Sequence, residues 1–281
     1  VAICEQLEDP KLTKGMVKRD VVQVLTPGTY TEYQAQNQNH YLVSILPLVG
    51  KRFALSYVDV STGELKVTQL ANLEEVRSEC SSLMCREVVL VESDVTEELR
   101  HLFTSMQILI STIEKDEINA EDCTDLVSEL EDEASIRCVQ NLLSYLKLTQ
   151  KRSFSHLQKA QAYQSEFYLS MNYETKRNLE LTTTIRANQK HGSLFWFLDE
   201  TQTAMGGRLL KQWLEKPLVL EGAIQKRHAL VETLNQHYFE RTDFIETLKR
   251  VYDLERIVGK VSFGTTNARD LLQLKQTLGQ V

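Results

Sequence analysis

The sequence predicts a mixed α/β region followed by an all-α region within 281 residues. Three observations lead there. From residue 38 to residue 112, short apolar runs alternate with turn-forming residues. After residue 132 the strand-like pattern disappears, and apolar residues recur three and four apart. The charge changes over the same stretch: residues 1–135 hold 25 Asp and Glu against 11 Lys and Arg, whereas residues 136–281 hold 14 against 21. An acidic surface repels phosphate and a basic one recruits it, so only the second half is suited to lie near DNA. Lys147, Lys151, Arg152, Lys176, Arg177, Lys249 and Arg250 nevertheless read as solvated helix surfaces.

The chain opens at Val1, without an initiator Met, in what reads as a strand, and a piece of a longer protein is expected. Residues 38–46, 52–60 and 64–70 read as three strands joined by Pro47 to Lys51 and by Ser61-Thr62-Gly63. A helix over 72–84, a buried strand over 87–91, a helix over 96–103 and a strand over 107–112 follow. Three strands, helix, strand, helix, strand is the order of the ribonuclease-H-like fold. From Glu114 to Asp132 the chain is polar and acidic without a period, and the domain boundary is placed there. The brevity of Ile113 to Glu133 leaves little chain for closing helices of such a fold.

Everything beyond reads as helix. Glu131, Asp132 and Glu133 open one, where carboxylates meet the positive end of the helix dipole. Ile136, Val139, Leu142, Leu143 and Leu146 form its apolar stripe, expected to pack on other helices. Phe154 to Met171 is less regular, with Tyr163, Phe167 and Leu169 expected in the core. Helices over 221–236, 242–258 and 267–278 are expected to bury Ala223, Leu230 and Leu234, then Phe244, Leu248, Val251 and Tyr252, then Ala268, Leu271, Leu272 and Leu278.

The densest motif runs from Asn178 to Pro217: Asn178-Leu179-Glu180-Leu181, Ile185-Arg186, His191-Gly192-Ser193-Leu194, Thr203-Ala204-Met205-Gly206-Gly207-Arg208-Leu209-Leu210 and Trp213-Leu214-Glu215-Lys216-Pro217-Leu218. Ser193 and Thr201 or Thr203 read as helix starts, and Pro217 as a stop because it lacks an amide hydrogen. Met205, Leu209 and Trp213 fall on one helix face. Two glycines inside that helix cost about 1 kcal/mol each relative to alanine, so Gly206 and Gly207 predict the close approach of another backbone. Together with Asp253-Leu254-Glu255-Arg256 and Ala268-Arg269-Asp270-Leu271, this segment resembles the core, or lever, domain of the MutS family of DNA mismatch-repair proteins. Val1 to Gln6, Glu8-Asp9-Pro10, Lys14-Gly15, Val17-Lys18-Arg19 and the run ending in Thr26-Pro27-Gly28-Thr29 resemble the end of that family's mismatch-binding domain.

The resemblance divides the chain into 1–29, a remnant of the mismatch-binding domain; 30–132, a ribonuclease-H-like connector; and 133–281, part of the helical core. It implies a non-catalytic piece linking a mismatch reader to an ATPase, with mismatched double-stranded DNA as the parent's ligand. MutL is the implied partner of the connector, and the parent is expected to be a homodimer. ATP and magnesium are expected for the full-length parent and no cofactor for this chain.

Other chemistries fit poorly. A phosphate-binding loop needs a glycine five residues before Gly-Lys and Ser or Thr after it; Gly50-Lys51 follows Ile45 and precedes Arg52, and Gly259-Lys260 follows Leu254 and precedes Val261. The Phe-x-Glu triplet Phe244-Ile245-Glu246 copies the family's mismatch wedge but lies in the helical half, as a core phenylalanine. A metal-dependent ribonuclease-H-type nuclease is the alternative reading, with Asp59, Glu64 and Glu92 as candidate carboxylates; Asp59 is expected instead to bond the amides of the Ser61-Thr62-Gly63 turn. A stand-alone protein-binding scaffold is a further alternative. The six histidines form no metal or hydrolase pattern. Cys4, Cys80, Cys85, Cys123 and Cys138 are irregularly spaced and read as reduced structural thiols, which with the absence of an apolar run near 18 residues predicts a cytoplasmic protein without membrane contact.

Overall fold

The computed structural model describes residues 1–6, 8, 16–29, 39–118, 123–151, 154–164, 167–169 and 171–280. Asp9, Pro10, Lys14, Gly15 and Arg152, read above, lie outside the described residues. The chain begins with an exposed antiparallel ribbon of β1 (Ala2–Gln6) and β2 (Arg19–Val24), whose register shifts between Ile3 and Cys4.

A six-stranded sheet follows. β3 (Tyr41–Pro47), β4 (Phe53–Asp59) and β5 (Glu64–Leu70) form an antiparallel meander. β6 (Glu87–Val91) pairs parallel on the free side of β3, and β7 (Leu109–Ile113) pairs parallel with β6. A two-residue β8 (Gln161–Ala162), not foreseen from the sequence, joins β5 in parallel and completes the order β7-β6-β3-β4-β5-β8. Three antiparallel strands followed by two parallel additions beside the first is the ribonuclease-H-like arrangement, with strand ends within three residues of expectation. β4 and β6 are buried at every residue, which explains why they read as runs without alternation. Asp59 serves the turn as expected: its Oδ1 accepts from Ser61 N at 2.8 Å and from Ser61 Oγ at 2.7 Å.

Three helices accompany the strands in sequence: α1 (Leu73–Leu83), α2 (Glu97–Ser105), capped by Thr96, and α3 (Glu133–Gln150), capped by Asp132. The sequence reading of α3 requires correction. Its stripe of Val139, Leu142, Leu143 and Leu146 is buried, but it lies on β3 and β4 and does not open the helical region. Cys138 sits fully buried on that face, its thiol directed at the carbonyls of Ser44 and Ala54, both at 3.4 Å, while Ser56 Oγ donates to Cys138 O at 3.0 Å. An amphipathic helix covers any apolar layer that lacks one, and here the sheet face was the uncovered layer. α3 therefore supplies the closing helix for which the segment before it is too short.

The helical region contains α4 (Tyr173–Asn178), α5 (Leu194–Leu198), α6 (Ala204–Glu215), α7 (Glu221–Gln236), α8 (Tyr238–Leu248), α9 (Leu254–Ser262) and α10 (Ala268–Leu278). The single helix expected over 242–258 is broken between Lys249 and Asp253, where Asp253 caps α9. The faces expected in the core are largely uncovered. Leu230 is 68% exposed, Phe244 53%, Leu272 60% and Leu278 63%, and Phe167 and Leu169 are exposed as well. The described helices pair mainly with sequence neighbours, α5 with α6, α7 with α8 and α9 with α10, so no layer of described residues covers these stripes. Phe244 is accordingly a surface residue.

By density of contacts the chain forms two units. The first takes in the ribbon, the sheet, α2 and α3; the second takes in α4 to α10 together with residues 74–83, which is nearly all of α1. Among the described residues no helix is long and apolar enough to cross a membrane.

All five cysteines are free thiols, with Cys4 exposed and the rest buried; Cys85 lies past the end of α1 and does not share the helix of Cys80. Burial pushes the Cys138 thiol up to about 11. Alkylation with iodoacetamide at about pH 8 should therefore label Cys4 first and Cys138 only after denaturation, as read by peptide mass spectrometry. Early labelling of Cys138 would contradict its place under α3.

Candidate functional site

The residues singled out in the sequence lie at the turn after β2 in the first unit and along α4 to α6 and the start of α9 in the second. In the first unit Thr26-Pro27-Gly28-Thr29 is a tight turn that ends β2: Thr29 N donates to Thr26 O at 3.1 Å, and Thr26 N donates to Thr29 Oγ1 at 3.0 Å. Gly28 is needed there for space. A Cβ at that position would lie 2.6 Å from Leu42 Cδ1 and 3.0 Å from Glu87 Oε2. Its amide donates to Glu87 Oε2 at 2.8 Å, and Glu87 Oε1 accepts from Ser111 Oγ and from Tyr145 OH, each at 2.6 Å. Glu87, at the start of β6, is fully buried. Burial and the bond donated to this carboxyl push the Tyr145 hydroxyl up to about 12.

In the second unit Asn178 ends α4, and Leu179 is its C-cap. Glu180 then adopts a left-handed conformation with φ of 47°, which turns the chain, while its Oε1 accepts from Ile185 N at 2.7 Å. The carbonyls of Glu180 and Leu181 accept from Leu194 N and Phe195 N at 3.0 and 2.8 Å, so the first and third pieces of the motif are stitched together. Ser193 caps α5 through a 3.2 Å bond from Trp196 N, and Thr203 caps α6 through a 3.0 Å bond from Gly206 N. Pro217 follows the end of α6, and its carbonyl accepts from Leu169 N at 2.8 Å.

α6 presents an unexpected face. Gly207, Arg208 and Lys211 are its buried residues, whereas Leu209 and Trp213, which share one apolar face with Met205, are 48% and 40% exposed. Arg208 Nη1 and Nη2 donate to the two carboxylate oxygens of Asp253, both at 2.7 Å, and Nη2 also donates to Glu255 Oε2 at 2.7 Å. Burial alone would lower the Arg208 pKa, but these two carboxylates outweigh it and hold the guanidinium above its ordinary value. Arg256, the last of the Asp253-Leu254-Glu255-Arg256 motif, lies 3.9 Å from Asp253 Oδ2. The reason for the inversion of α6 is this clamp, since a buried guanidinium must face its carboxylates. The expected backbone approach at Gly206 is also corrected: the three atoms nearest a Cβ there belong to the side chains of Thr203 and Thr201, the closest at 3.1 Å.

A second charged cluster in this unit holds α1. Glu79 is paired with Lys216, accepts from Tyr163 OH at 2.6 Å, and Lys176 Nζ donates to Ser82 Oγ at 2.6 Å. The Lys216 ammonium lies 4.4 Å from the centre of the Tyr163 ring. Burial by itself would raise Glu79; Lys216 and Tyr163 outweigh it and hold the carboxyl low. Glu215 is raised by burial against the opposing pull of Lys211, Lys176 and Lys216, and Lys176 is lowered by burial.

Neither Gly-Lys pair can cradle phosphate. Gly50 and Lys51 form the left-handed turn between β3 and β4, and Gly259 and Lys260 lie inside α9. The two Gly-Lys pairs therefore do not form a phosphate-binding loop. The roles of Glu87, Tyr145, Glu79, Tyr163 and Lys216 in these polar contacts were not foreseen from the sequence, although Tyr163 was expected in the core and Lys216 falls in the motif. The signal for Glu87 was a lone carboxylate heading the apolar run Glu87-Val88-Val89-Leu90-Val91; the others show no local signal, because their partners lie far away in the chain.

Three family models match in order: MutS domain I over residues 1–34, MutS domain II over 40–158 and MutS domain III over 174–281. A protein from Streptococcus agalactiae, called DNA mismatch repair protein MutS, is 45% identical over all of this chain and 32% of its own length. Proteins of the same description from Bacillus licheniformis and Bacillus subtilis are 46% and 44% identical, again over all of this chain and 32% of their own lengths. The chain thus spans about a third of the curated relatives it matches.

The clamp makes a graded prediction. Asp253→Asn keeps a good cap for α9 and removes the charge, and should cost about 2–4 kcal/mol in denaturant unfolding. Glu255→Gln, at a half-exposed partner, should cost under about 1 kcal/mol. Equal costs would show that the bidentate pair is not the dominant contact.

Proposed function

Because the chain belongs to the MutS family of DNA mismatch repair proteins, with matches to domains I, II and III in order, we propose that it is the non-catalytic linkage of such a protein, a connector and lever that joins the mismatch reader to the ATPase. The single observation that carries this reading is the placement of α1. It lies between β5 and β6 in sequence, yet Glu79 and Ser82 bind it to Tyr163, Lys216 and Lys176 of the helical unit. A helix shared in this way is a suitable part for transmission, because rigid elements held by discrete polar contacts have distinct arrangements that two sites can bias.

Mismatched double-stranded DNA is the ligand of the whole protein in this reading, ATP and magnesium serve its motor, and the protein works in the cytoplasm as a homodimer. The chain by itself should retain matched and mismatched duplexes equally and weakly in a gel-shift assay at stated salt. Strong preference for the mismatch would defeat the assignment of the reading function elsewhere.

The connector is also assigned a docking surface for MutL. The acidic patch of Glu92, Glu114, Asp116 and Glu117, exposed after β6 and β7, supports this: Asp116, Glu117 and Glu92 repel Glu114 and raise its pKa, and a basic partner would relieve that repulsion. The double variant Glu114→Lys with Glu117→Lys should slow association with MutL by ten-fold or more at low salt, measured by surface plasmon resonance. An unchanged association rate would move the docking surface elsewhere.

A further inference from the structure

The turn that ends β2 is seated in a socket that the mismatch-repair reading leaves without a role. Side chains of two distant elements, β6 and α3, hold it. Glu87 of β6 accepts the Gly28 amide at 2.8 Å. Tyr145, in the last two turns of α3, donates to the other oxygen of Glu87 at 2.6 Å. Gln150, the last residue of α3 and 2% exposed, donates through Nε2 to Val24 O at 3.0 Å and accepts through Oε1 from Gln23 Nε2 at 2.6 Å. The end of β2 is thus held by Gln150 at two successive residues, and the turn after it by Glu87.

The chemistry of this socket is unusual for a plain packing contact. Glu87 has no exposed surface, and its three hydrogen bonds come from neutral donors, with no cationic partner among the described residues. A carboxyl under cover without a counter-charge is retained at an energetic cost, which its three donors offset. What the carboxyl provides is direction: two oxygens fix the Gly28 amide on one side and the Tyr145 and Ser111 hydroxyls on the other. The fit at Gly28 leaves no room for a Cβ, so the turn has one seating. The β1–β2 ribbon, by contrast, is exposed along most of its length, and the described contacts that orient it are those at the end of β2.

We propose that Glu87, backed by Tyr145 and Gln150, is a positioning residue that sets the direction in which the mismatch-reading domain leaves the connector, and so tunes discrimination between mismatched and matched DNA. This rests on the family reading above, through the match of residues 1–34 to MutS domain I.

The experiment has two arms. In the first, hydrogen exchange of this chain is followed in wild type, Glu87→Gln and Tyr145→Phe. Glutamine offers one acceptor oxygen where Glu87 offers two, so in Glu87→Gln the Gly28 amide competes with the Ser111 and Tyr145 hydroxyls for it; exchange at residues 26–29 should speed ten-fold or more, and in Tyr145→Phe by a smaller factor, while β3 and β4 remain as protected as in wild type. Unchanged exchange at residues 26–29, or equal loss of protection across β3 and β4, overturns the proposal; Tyr145→Phe, which leaves the carboxyl in place, decides the matter if Glu87→Gln fails to fold. In the second arm, a full-length MutS protein bearing this sequence and Tyr145→Phe or Glu87→Gln is titrated with matched and mismatched duplexes. Mismatch affinity should fall at least three-fold with matched-duplex affinity unchanged, a split that general destabilisation does not produce. A released turn with unaltered discrimination overturns the positioning role. Failure of the wild-type protein to discriminate would instead count against the family reading, independently of the first arm.

Discussion

A guanidinium does not give up its charge, so taking Arg208 under cover obliges carboxylates to come with it. That constraint explains much of the second unit. It turns α6 so that Arg208 and Lys211 face inward and Leu209 and Trp213 face out. It also accounts for the interruption before α9, because Asp253 must both cap that helix and present two oxygens to Arg208. With Val76, Cys80 and Leu83 of α1 and Leu181, Phe195 and Ile257 as the buried apolar side chains among its described residues, this unit has a small core, and the geometry of the ion clamp is a larger share of its specification than it would be in an ordinary helical core.

The first unit solves the opposite problem. Its sheet is covered by α3 and filled with aliphatic side chains, so its stability is that of a conventional apolar core. Polar groups occur at its margins and define register: Asp59 in the β4–β5 turn, Asp132 at the start of α3, and Glu87 where β6 meets the turn from β2. Hydrogen bonding from Ser135 holds the Asp132 carboxyl below its ordinary value, in keeping with a working cap.

How much was legible in the sequence follows from the range of the interactions. The strands of the meander and the two parallel additions were readable because their apolar runs and turn residues are local. The caps Ser193 and Thr203 were readable because a cap and its amide are three residues apart. The place of α3 was not, since its stripe is equally suited to a sheet or to other helices. The burial of Arg208 and the exposure of Leu209 were not, since hydrophobic periodicity assumes that charged residues face water, and the partners of Arg208 lie 45 and 47 residues away. Motif resemblance placed Arg208 in one motif and Asp253 and Glu255 in another, without relating them. What it could not supply was the contact that explains why the three belong to one set.

α1 leaves one further mark on the molecule. Its chain leaves the first unit after β5, belongs to the second over residues 74–83, and returns to the first before β6, so neither unit is a single continuous stretch of sequence. A single cut between them does not exist. Any attempt to express either part separately would strip the helical part of Glu79 and Ser82 or oblige it to carry a strip of foreign polypeptide.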